Sequence, residues 1–414
     1  MNGQHLLTDV RQALGQLAHH RLRTALTLLG MVFGVGAVIA MLAVSEGGKR
    51  EALELIEGMG LNNIIVEAKS FDTEALKEVR KFSPGLSRRD AQVTVETLPF
   101  VTDWAGVREF RTWSLFSREG DSRAKVLAVS PSYFNLSSLS ATRGELFSEE
   151  SNRNFEQVAV LGARTAESLF PNGDALGGYI KVNHVWFEVI GVLSDRQLDA
   201  AEFQGQSVGG ESDNVYLPLL SGLARLQRGG MEAELDRIKF RVDSGVATNQ
   251  AASAIQQLMD RRHSQQNDFD IVVPARLLAQ HQQTQNIFTI VMSAVAGISL
   301  LVGGIGIMNI MLASVMERKS EIGLLRALGA REEDVVRQFL VETSVIAALG
   351  ALLGVVLGVV LAYTIAAFAG WAVAWSLIVI IVAVLTCVAI AVGFGVYPAL
   401  SAARLDPVLA LQSD

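Results

Sequence analysis

The sequence predicts a membrane protein with four transmembrane α-helices and a large α+β domain inserted between the first and second helices. Four long apolar segments carry no charged residue except Glu342, and each is near or above the roughly 20 residues that cross a hydrocarbon core. A stretch of mixed composition over residues 45–285 separates the first two segments. A short charged segment, residues 315–337, separates the second from the third.

This charged segment indicates the orientation of the chain. It contains five basic residues, and short loops rich in lysine and arginine remain cytoplasmic. We therefore expect both termini in the cytoplasm and the inserted domain outside the membrane. The basic residues are Arg318, Lys319, Arg326, Arg331 and Arg337.

These assignments divide the chain into eight parts. They are a cytoplasmic amphipathic helix at 1–23, transmembrane segments at 24–44, 286–314, 338–368 and 374–397, an extracytoplasmic domain at 45–285, a cytoplasmic coupling loop at 315–337 and a cytoplasmic tail at 398–414. A cleaved signal peptide is the alternative for the first apolar segment, but its apolar core would span only about 7 to 15 residues.

The inserted domain shows strands and helices in alternation. Residues 63–67 and 104–116 predict strands, and Ser87 with Asp90 predicts a capping box that opens a helix. The polar, glycine-rich residues 204–213 predict a mobile loop. Residues 46–59 and 275–285 are compatible with helices that extend the first two membrane segments outward.

The coupling loop contains its own short amphipathic helix in this prediction. Ser320 is placed at the N-cap and Gly329 at the C-terminal stop. A solvated loop that only follows the positive-inside rule is the alternative interpretation. The apolar positions at helical spacing are Ile322, Leu324, Leu325 and Leu328. We also expect Pro398 and Pro407 to stop the last membrane helix.

Glycines recur every four residues in two membrane segments. Gly350, Gly354 and Gly358 share one face of the third, and Gly30 and Gly34 share one face of the first. This spacing allows close approach of helix backbones, either within one chain or between two chains of a dimer.

The sequence excludes several function classes. No Asp, Glu, Lys, Arg or His lies deep in a membrane segment, which argues against ion-coupled transport. There is no Walker motif, and the single Cys387 and six dispersed histidines predict no metal site. We therefore expect no catalytic, cofactor or metal site. The acidic excess, with net charge −7, provides no surface for nucleic acid.

Several segments resemble the MacB-like and FtsX-like permeases of the type VII ABC transporters. The clearest are RLRTALTLLGMVFGVGAVIAML (residues 21–42), VAVLGARTAESLFP (158–171), ERKSEIGLLRALGA (317–330) and YPALSAARLDPVLAL (397–411). The resemblance implies a porter-like part at about 46–115 and 235–275 and an inserted subdomain at about 116–234. It also implies mechanotransmission from a cytoplasmic ATPase to the outer domain.

The implied partners follow from the same resemblance. They are a separate ABC ATPase that carries ATP and Mg, a second copy or a paralogue in a dimer, membrane lipid, and a periplasmic adaptor with an outer-membrane channel. Because the sequence starts almost directly at the membrane, we expect the ATPase on another chain in a bacterial inner membrane. Within residues 317–330 the expected ATPase contacts are Glu317, Arg318, Glu321, Leu325 and Arg326.

Three functions remain open at this point. Export of a substrate from outside the inner membrane is favoured by the roughly 240 residues available for the outer domain. The alternatives are FtsX-like regulation of cell-wall hydrolases and lipoprotein release of the LolC and LolE kind.

Overall fold

The computed structural model describes residues 21–195, 201–203, 206–208, 210–227, 229–369, 373–406 and 410. Its contacts divide the chain into two compact units. We call Met1–Glu51 with Gln282–Asp414 the membrane unit, and Ala52–His281 the outer domain. Most of the helix predicted over residues 1–23, and much of the turn predicted between the last two membrane segments, lie outside the described residues.

The described residues form twelve α-helices. Their bounds are α1 Arg21–Met59, α2 Thr73–Val79, α3 Arg88–Thr97, α4 Ser132–Leu136, α5 Glu149–Arg153, α6 Ala163–Leu169, α7 Leu219–Arg225, α8 Thr248–Arg262, α9 Pro274–Glu317, α10 Lys319–Ala327, α11 Glu332–Ala369 and α12 Leu377–Ala403.

The described strands all belong to the outer domain. Their bounds are β1 Asn63–Ala68, β2 Val101–Phe110, β3 Leu115–Phe116, β4 Lys125–Val129, β5 Ala141–Gly144, β6 Val158–Leu161, β7 Tyr179–Val182, β8 Val185–Leu193, β9 Ala201–Phe203, β10 Gln206–Val208, β11 Asn214–Pro218, β12 Arg237–Val242 and β13 Phe269–Val272.

Eleven of these strands form one mixed sheet. Its order is β13-β1-β12-β2-β4-β11-β6-β8-β7-β3, with β5 paired to β8. Only β4 with β11 and β6 with β8 run parallel among the described pairs. The predicted porter-like part and inserted subdomain contribute to this same sheet, so their boundary stays a prediction.

Side chains of the sheet build the main core of the outer domain. The cluster includes Ile64 of β1, Val126 of β4, Phe187 of β8 and Phe240 of β12, none of which is exposed. The predicted capping box is confirmed: the Ser87 side chain accepts from the Asp90 amide while the Asp90 carboxylate accepts from the Ser87 amide. Together these features make the outer domain a mixed α+β fold, as predicted.

Four described helices are long and apolar enough to cross a membrane, which confirms the predicted number. They are α1, α9, α11 and α12. The helices bury one side of each against the others, in a cluster that includes Met31, Ile307 and Ala347. Large apolar side chains such as Ile290 and Leu385 remain exposed, as expected for surfaces that face lipid chains. Both outward extensions are also confirmed, because α1 and α9 continue without a break through residues 46–59 and 275–285.

Two outer-domain predictions were wrong in part. The strand predicted at 104–116 is broken between β2 and β3, because the Asn183 side chain accepts from the Trp113 amide and donates to the Arg111 carbonyl in place of a strand partner. Within the loop predicted at 204–213, β10 pairs with β9 and Glu211–Asp213 forms a 3-10 turn. Local backbone hydrogen bonds therefore order parts of a segment whose composition suggested a loop.

The end predicted for the fourth membrane helix was also wrong, because Pro398 lies inside α12 and the helix continues to Ala403. An interior proline costs about 3 kcal/mol or more through a lost hydrogen bond and a steric clash. Ala399, Ala402 and Ala403 are buried in the core of the membrane unit. Packing of this last turn offsets the cost of the proline.

Candidate coupling site

The charged segment between α9 and α11 folds as a short helix that follows a sharp bend. Helix α9 ends at Glu317, and Arg318 alone separates it from α10. Arg318 occupies the N-cap position, so the N-cap predicted at Ser320 was wrong. Because α9 extends so far, Ser320 already lies within the first turn of α10. The Ile322 amide donates to the Arg318 carbonyl at 3.0 Å, which starts the new helix at the bend.

The C-terminus of α10 is closed by a glycine, as predicted. Gly329 has a φ of +100°, a left-handed conformation that costs glycine little. Its amide donates to the Arg326 carbonyl, and the Ala330 amide donates to the Leu325 carbonyl, both at 3.1 Å. This pair of bonds is a Schellman motif, which ends the helix and turns the chain toward α11.

Helix α10 presents one apolar residue inward and several outward. Ile322 is buried in the core of the membrane unit, next to the buried Gly323. In contrast, Leu324, Leu325 and Leu328 are exposed, Leu328 to 78%, and Met316 just before the bend is 73% exposed. Contiguous exposed apolar side chains mark interaction surfaces. The sequence pattern grouped the leucines with Ile322, whereas the structure places only Ile322 inside.

Two of the predicted contact residues already have partners in the chain. The Arg318 guanidinium lies 3.6 Å from the Glu342 carboxylate of α11, with both side chains largely buried. Arg326 lies 3.1 Å from the Glu332 carboxylate and also donates to the Ala330 carbonyl. Both arginines thus fix the position of α10. The sequence analysis did not identify these partners, and the acidic first turn of α11, Glu332 to Asp334, is the signal that could have indicated one of them.

The remaining predicted contacts are on the surface of this segment. Glu317, Glu321 and Leu325 are exposed. With Met316, Leu324 and Leu328, they form a surface that we call the coupling face. The coupling face has apolar side chains at its centre and carboxylates beside them, which suits it to bind another protein surface rather than to carry out chemistry.

The glycines of α1 bring it close to α9. A Cβ at Gly30 would lie 3.2 Å from the Cα of Gly303, and one at Gly34 would lie 3.1 Å from Leu300 Cδ2. Such contacts are tighter than ordinary side-chain packing, so larger residues would separate the helices. The structure therefore uses both predicted positions for packing inside one chain.

The glycines of α11 bring that helix close to α1, which α9 also contacts. A Cβ at Gly354 would lie 2.7 Å from Val35 Cβ, and one at Gly358 would lie 2.8 Å from the Gly36 carbonyl oxygen. Gly350, one turn earlier, is buried. Helix α1 is thus held between α9 and α11.

Beyond their apolar runs, α1 and α9 are joined by a polar contact. The Ser45 hydroxyl donates to the Gln285 side-chain carbonyl at 3.2 Å. On the same side of the unit, the Ala374 amide donates to the Ala43 carbonyl of α1 at 3.1 Å. These bonds tie α1 to α9, and to the segment before α12, close to the predicted start of the outer domain.

The outer ends of both helices are packed into the outer domain. Met59 at the end of α1 forms a buried cluster with Ile65 of β1 and Val272 of β13, against which Leu277 of α9 packs. The side-chain nitrogen of Asn63, Nδ2, donates to the backbone carbonyls of Met59 and Leu136, both at 2.7 Å. Each helix is therefore anchored to a strand of the large sheet.

A second group of charged residues lies buried between α3, α8 and the start of β13. His263 Nδ1 is 2.8 Å from the Asp268 carboxylate, and Nε2 is 3.5 Å from Asp90. The Ser83 hydroxyl donates to Asp268 at 2.7 Å, and Arg262 Nε donates to Asp90 at 2.6 Å. We call these five residues the histidine cluster.

The histidine cluster is charged at neutral pH. Burial lowers the pKa of His263, but the hydrogen bond with Asp268 and the nearby Asp90 carboxylate outweigh this effect and raise the pKa to about 9. Burial has the opposite effect on Asp90, whose pKa it raises. Interactions with His263, Ser87 and Arg262 outweigh burial and bring the pKa of Asp90 down to about 2. A protonated imidazole between two carboxylates joins α3, α8 and β13 into one rigid part.

Lys239 is a further buried charge in the outer domain. Its Nζ donates to the Ser137 hydroxyl at 2.8 Å and lies 4.5 Å from the centre of the Tyr133 ring. Burial lowers the pKa of Lys239 to about 7. These two contacts make Lys239 part of the packed interior of the outer domain.

Within the described ranges, no group of three or more His, Cys, Asp and Glu side chains could hold a metal ion.

Two family models match the chain in its two parts. The MacB-like periplasmic core domain matches residues 24–258, and the FtsX-like permease C-terminal domain matches residues 293–407. The first match alone includes more than half of the chain.

Curated relatives align with almost the whole chain. A macrolide export ATP-binding/permease protein MacB from Azoarcus sp. (strain BH72) is 36% identical over 99% of this chain. A pyoverdine export ATP-binding/permease protein PvdT from Pseudomonas syringae pv. tomato is 35% identical, also over 99%. The chain spans 60% of the length of each of these relatives.

A solved structure of the periplasmic region of MacB from Actinobacillus actinomycetemcomitans also matches. It covers 56% of this chain and 97% of its own, at 21% identity and a TM-score of 0.44. From the two family matches and the four membrane helices, the chain is an integral membrane protein with a large extracytoplasmic domain and belongs to the MacB-like and FtsX-like permeases of the type VII ABC transporters.

Proposed function

We propose that this chain is the permease of an ATP-driven exporter that works by mechanotransmission. A cytoplasmic ABC ATPase binds the coupling face, and its cycle displaces α10 and the adjoining ends of α9 and α11. Helices α1 and α9 carry the displacement to the outer domain. The outer domain then expels a substrate that is already outside the inner membrane.

The continuity of α9 is the observation that carries this proposal. The helix runs without interruption over 44 residues, from Pro274, next to β13, to Glu317, one residue before α10. At 1.5 Å per residue this is about 66 Å of hydrogen-bonded helix. One uninterrupted helix therefore runs from β13 to α10, with a single residue separating it from each.

The packing of α1 supports the same mechanism. Gly30 and Gly303 bring α1 and α9 into backbone contact, and Ser45 joins them farther along. Two helices packed in this way resist bending better than either alone. Movement of α9 therefore moves α1 with it.

In this proposal ATP and Mg bind to the cytoplasmic ATPase, since these 414 residues contain no Walker motif. The functional assembly is a homodimer or a paralogous heterodimer in a bacterial inner membrane, with both termini in the cytoplasm. A periplasmic adaptor and an outer-membrane channel complete the export route. The MacB and PvdT relatives are named as export proteins, which favours export over hydrolase regulation or lipoprotein release.

A proline in α9 tests the transmission step. Gln282 is exposed, so Gln282→Pro removes one helical hydrogen bond without disturbing a core, whereas the buried Ala52 of α1 is a less selective position. The cost is about 3 kcal/mol, concentrated at one turn. In the reconstituted complex we expect ATP hydrolysis to continue and export to fall at least about tenfold.

Gln282→Ala is the matched control, since it retains the backbone amide at the same exposed position. It should export at the wild-type rate. Wild-type export by a stable, assembled Gln282→Pro complex would contradict rigid transmission through α9.

Cysteine labelling tests the proposed orientation. Lys77 of α2 and Ser320 of α10 are both exposed, and Cys387 is buried and can be replaced by alanine. In intact spheroplasts, a membrane-impermeant thiol reagent should label Lys77→Cys fully and Ser320→Cys only after lysis. The opposite pattern would invert the topology and place the coupling face outside the cell.

A further inference from the structure

A groove opens in the membrane unit between the start of α11 and the end of α12. Its volume is about 510 Å³. Val336, Leu340, Val341 and Leu400 supply apolar walls, and Arg337 and Arg404 lie among the lining residues. The groove therefore combines an apolar interior with two guanidinium groups.

The position of the groove along the helices matches the edge of a bilayer. The apolar run of α11 starts directly after Arg337 and Gln338, and Glu342 is its only charged residue. Ser344, which also lines the groove, lies seven residues beyond Arg337, or about 10 Å farther along the helix axis. Arg404 directly follows the last residue of α12. The charged end of the groove is thus at the interface between membrane and water. Its apolar end reaches the depth of the lipid acyl chains.

The charges at the interfacial end leave one positive charge in excess. Glu332 also lines the groove, but it is paired with Arg326 of α10 at 3.1 Å. The remaining lining charges are Glu333, Arg337 and Arg404. Among the described residues, neither the Arg337 nor the Arg404 side chain has an ion-pair or hydrogen-bond partner. A ligand with a single negative charge would neutralise this site.

We propose that the groove binds one anionic glycerophospholipid, with phosphatidylglycerol as the reference ligand. The phosphodiester, which carries one negative charge, pairs with Arg337 and Arg404. One acyl chain packs along Leu340, Val341 and Leu400. Basic pockets between membrane helices bind anionic lipid headgroups in this way. Since Glu332 also pairs with α10, the bound lipid lies one ion pair away from the coupling face.

Native mass spectrometry of the purified full chain tests this site. The probe is phosphatidylglycerol, offered together with phosphatidylethanolamine of the same acyl composition. The wild-type chain should retain one phosphatidylglycerol in preference to phosphatidylethanolamine. The double variant Arg337→Ala with Arg404→Ala should bind phosphatidylglycerol about tenfold more weakly, because both charge-assisted contacts are removed.

Two further variants separate the headgroup from the acyl chain. Ser344→Leu fills the apolar end without a change of charge, and it should also lower phosphatidylglycerol retention. Arg331→Ala removes an exposed arginine just before α11 that does not line the groove, so retention should stay at the wild-type level.

Three results would overturn the proposal. The first is equal retention of the two lipids by the wild-type chain, and the second is unchanged retention by both groove variants. The third is a double arginine variant that keeps its phosphatidylglycerol but loses a co-purifying ATPase, which would make the groove a protein-docking surface. Thermal unfolding of each variant shows that the chain remains folded.

Discussion

The coupling segment and the histidine cluster use charged residues in opposite ways. At the coupling segment, Arg318 and Arg326 each pair with one carboxylate of α11, and the apolar side chains nearby face outward. In the histidine cluster, His263 is 1% exposed and is enclosed by two carboxylates and a serine hydroxyl. One region leaves its binding surface open, and the other satisfies its charges internally.

This difference indicates what each region would contribute to the proposed mechanism. A helix held by one buried side chain and two ion pairs can shift as a unit when a partner binds its exposed face. A buried, hydrogen-bonded network instead costs several kcal/mol to break, so the elements that it joins move together. On the proposed mechanism, the elements of the outer domain that the histidine cluster joins should move together, whereas α10 adjusts.

Removal of His263 should produce the largest effect. His263→Ala leaves Asp90 and Asp268 buried without their common cation, and loss of one member of a buried ion pair costs about 3 to 5 kcal/mol. Hydrogen exchange on the full chain should show faster opening of α8 and β13. The effect on α10 should be negligible, because it lies in the other unit.

His184→Ala provides the control for this experiment. His184 is an exposed histidine of the same domain that stacks on Trp113. Its replacement should change the free energy of opening by less than about 0.5 kcal/mol. Equal effects of the two variants would show that the histidine cluster does not hold the outer domain together.

The pH dependence of the outer domain should be the next largest effect. The pKa of His263 is about 9 in the fold and 6.5 for an ordinary histidine, as in the unfolded chain. Its contribution to stability is therefore complete below about pH 6.5 and is lost as pH rises through 9. The loss is about 3 kcal/mol. The lowered pKa values of Asp90 and Asp268 act only in the acid range, outside this window.

Lys239 opposes this trend and must be separated from it. Its pKa is lowered from 10.5 to about 7, so its penalty is present below pH 7 and is relieved as pH rises toward 10.5. In a Lys239→Met background, the free energy of opening by hydrogen exchange should therefore fall steadily from pH 6.5 to 9. A flat profile in that background would show that His263 is not protonated between the two carboxylates.

The sequence predicted the fold well where a pattern was local or long. Four apolar segments, the Ser87 capping box and the Gly329 stop each depend on neighbouring residues, and the structure contains all of them. The continuation of α12 past Pro398 could not be predicted, because it depends on packing by distant helices. Whether residues 1–20 form the predicted surface helix stays a prediction.

The candidate sites were less predictable for the same reason. Helical spacing identified Leu325 and Leu328, but it could not show that Ile322 alone faces inward. The partners Glu342 and Glu332 lie on a different helix from the arginines they bind. The histidine cluster joins residues about 170 positions apart, such as Asp90 and Arg262 at a separation of 172, and no local pattern reports such a contact.

The smallest effect is expected at the coupling face, and it separates binding from internal support. Leu328 is 78% exposed and makes no contribution to the core, so Leu328→Asp should leave unfolding unchanged. If the ATPase covers this leucine, a buried carboxylate there costs about 2 kcal/mol of binding, or roughly a thirtyfold loss of co-purifying ATPase. Leu61→Asp, at an exposed leucine of the outer domain, should retain the ATPase.

Arg318→Ala should instead loosen α10 by removing its pair with Glu342, so its ATPase loss should come with faster hydrogen exchange in α10. If Leu328→Asp retains the ATPase while Arg318→Ala loses it, the arginine and not the apolar surface is the contact, and the outward face of α10 has another use.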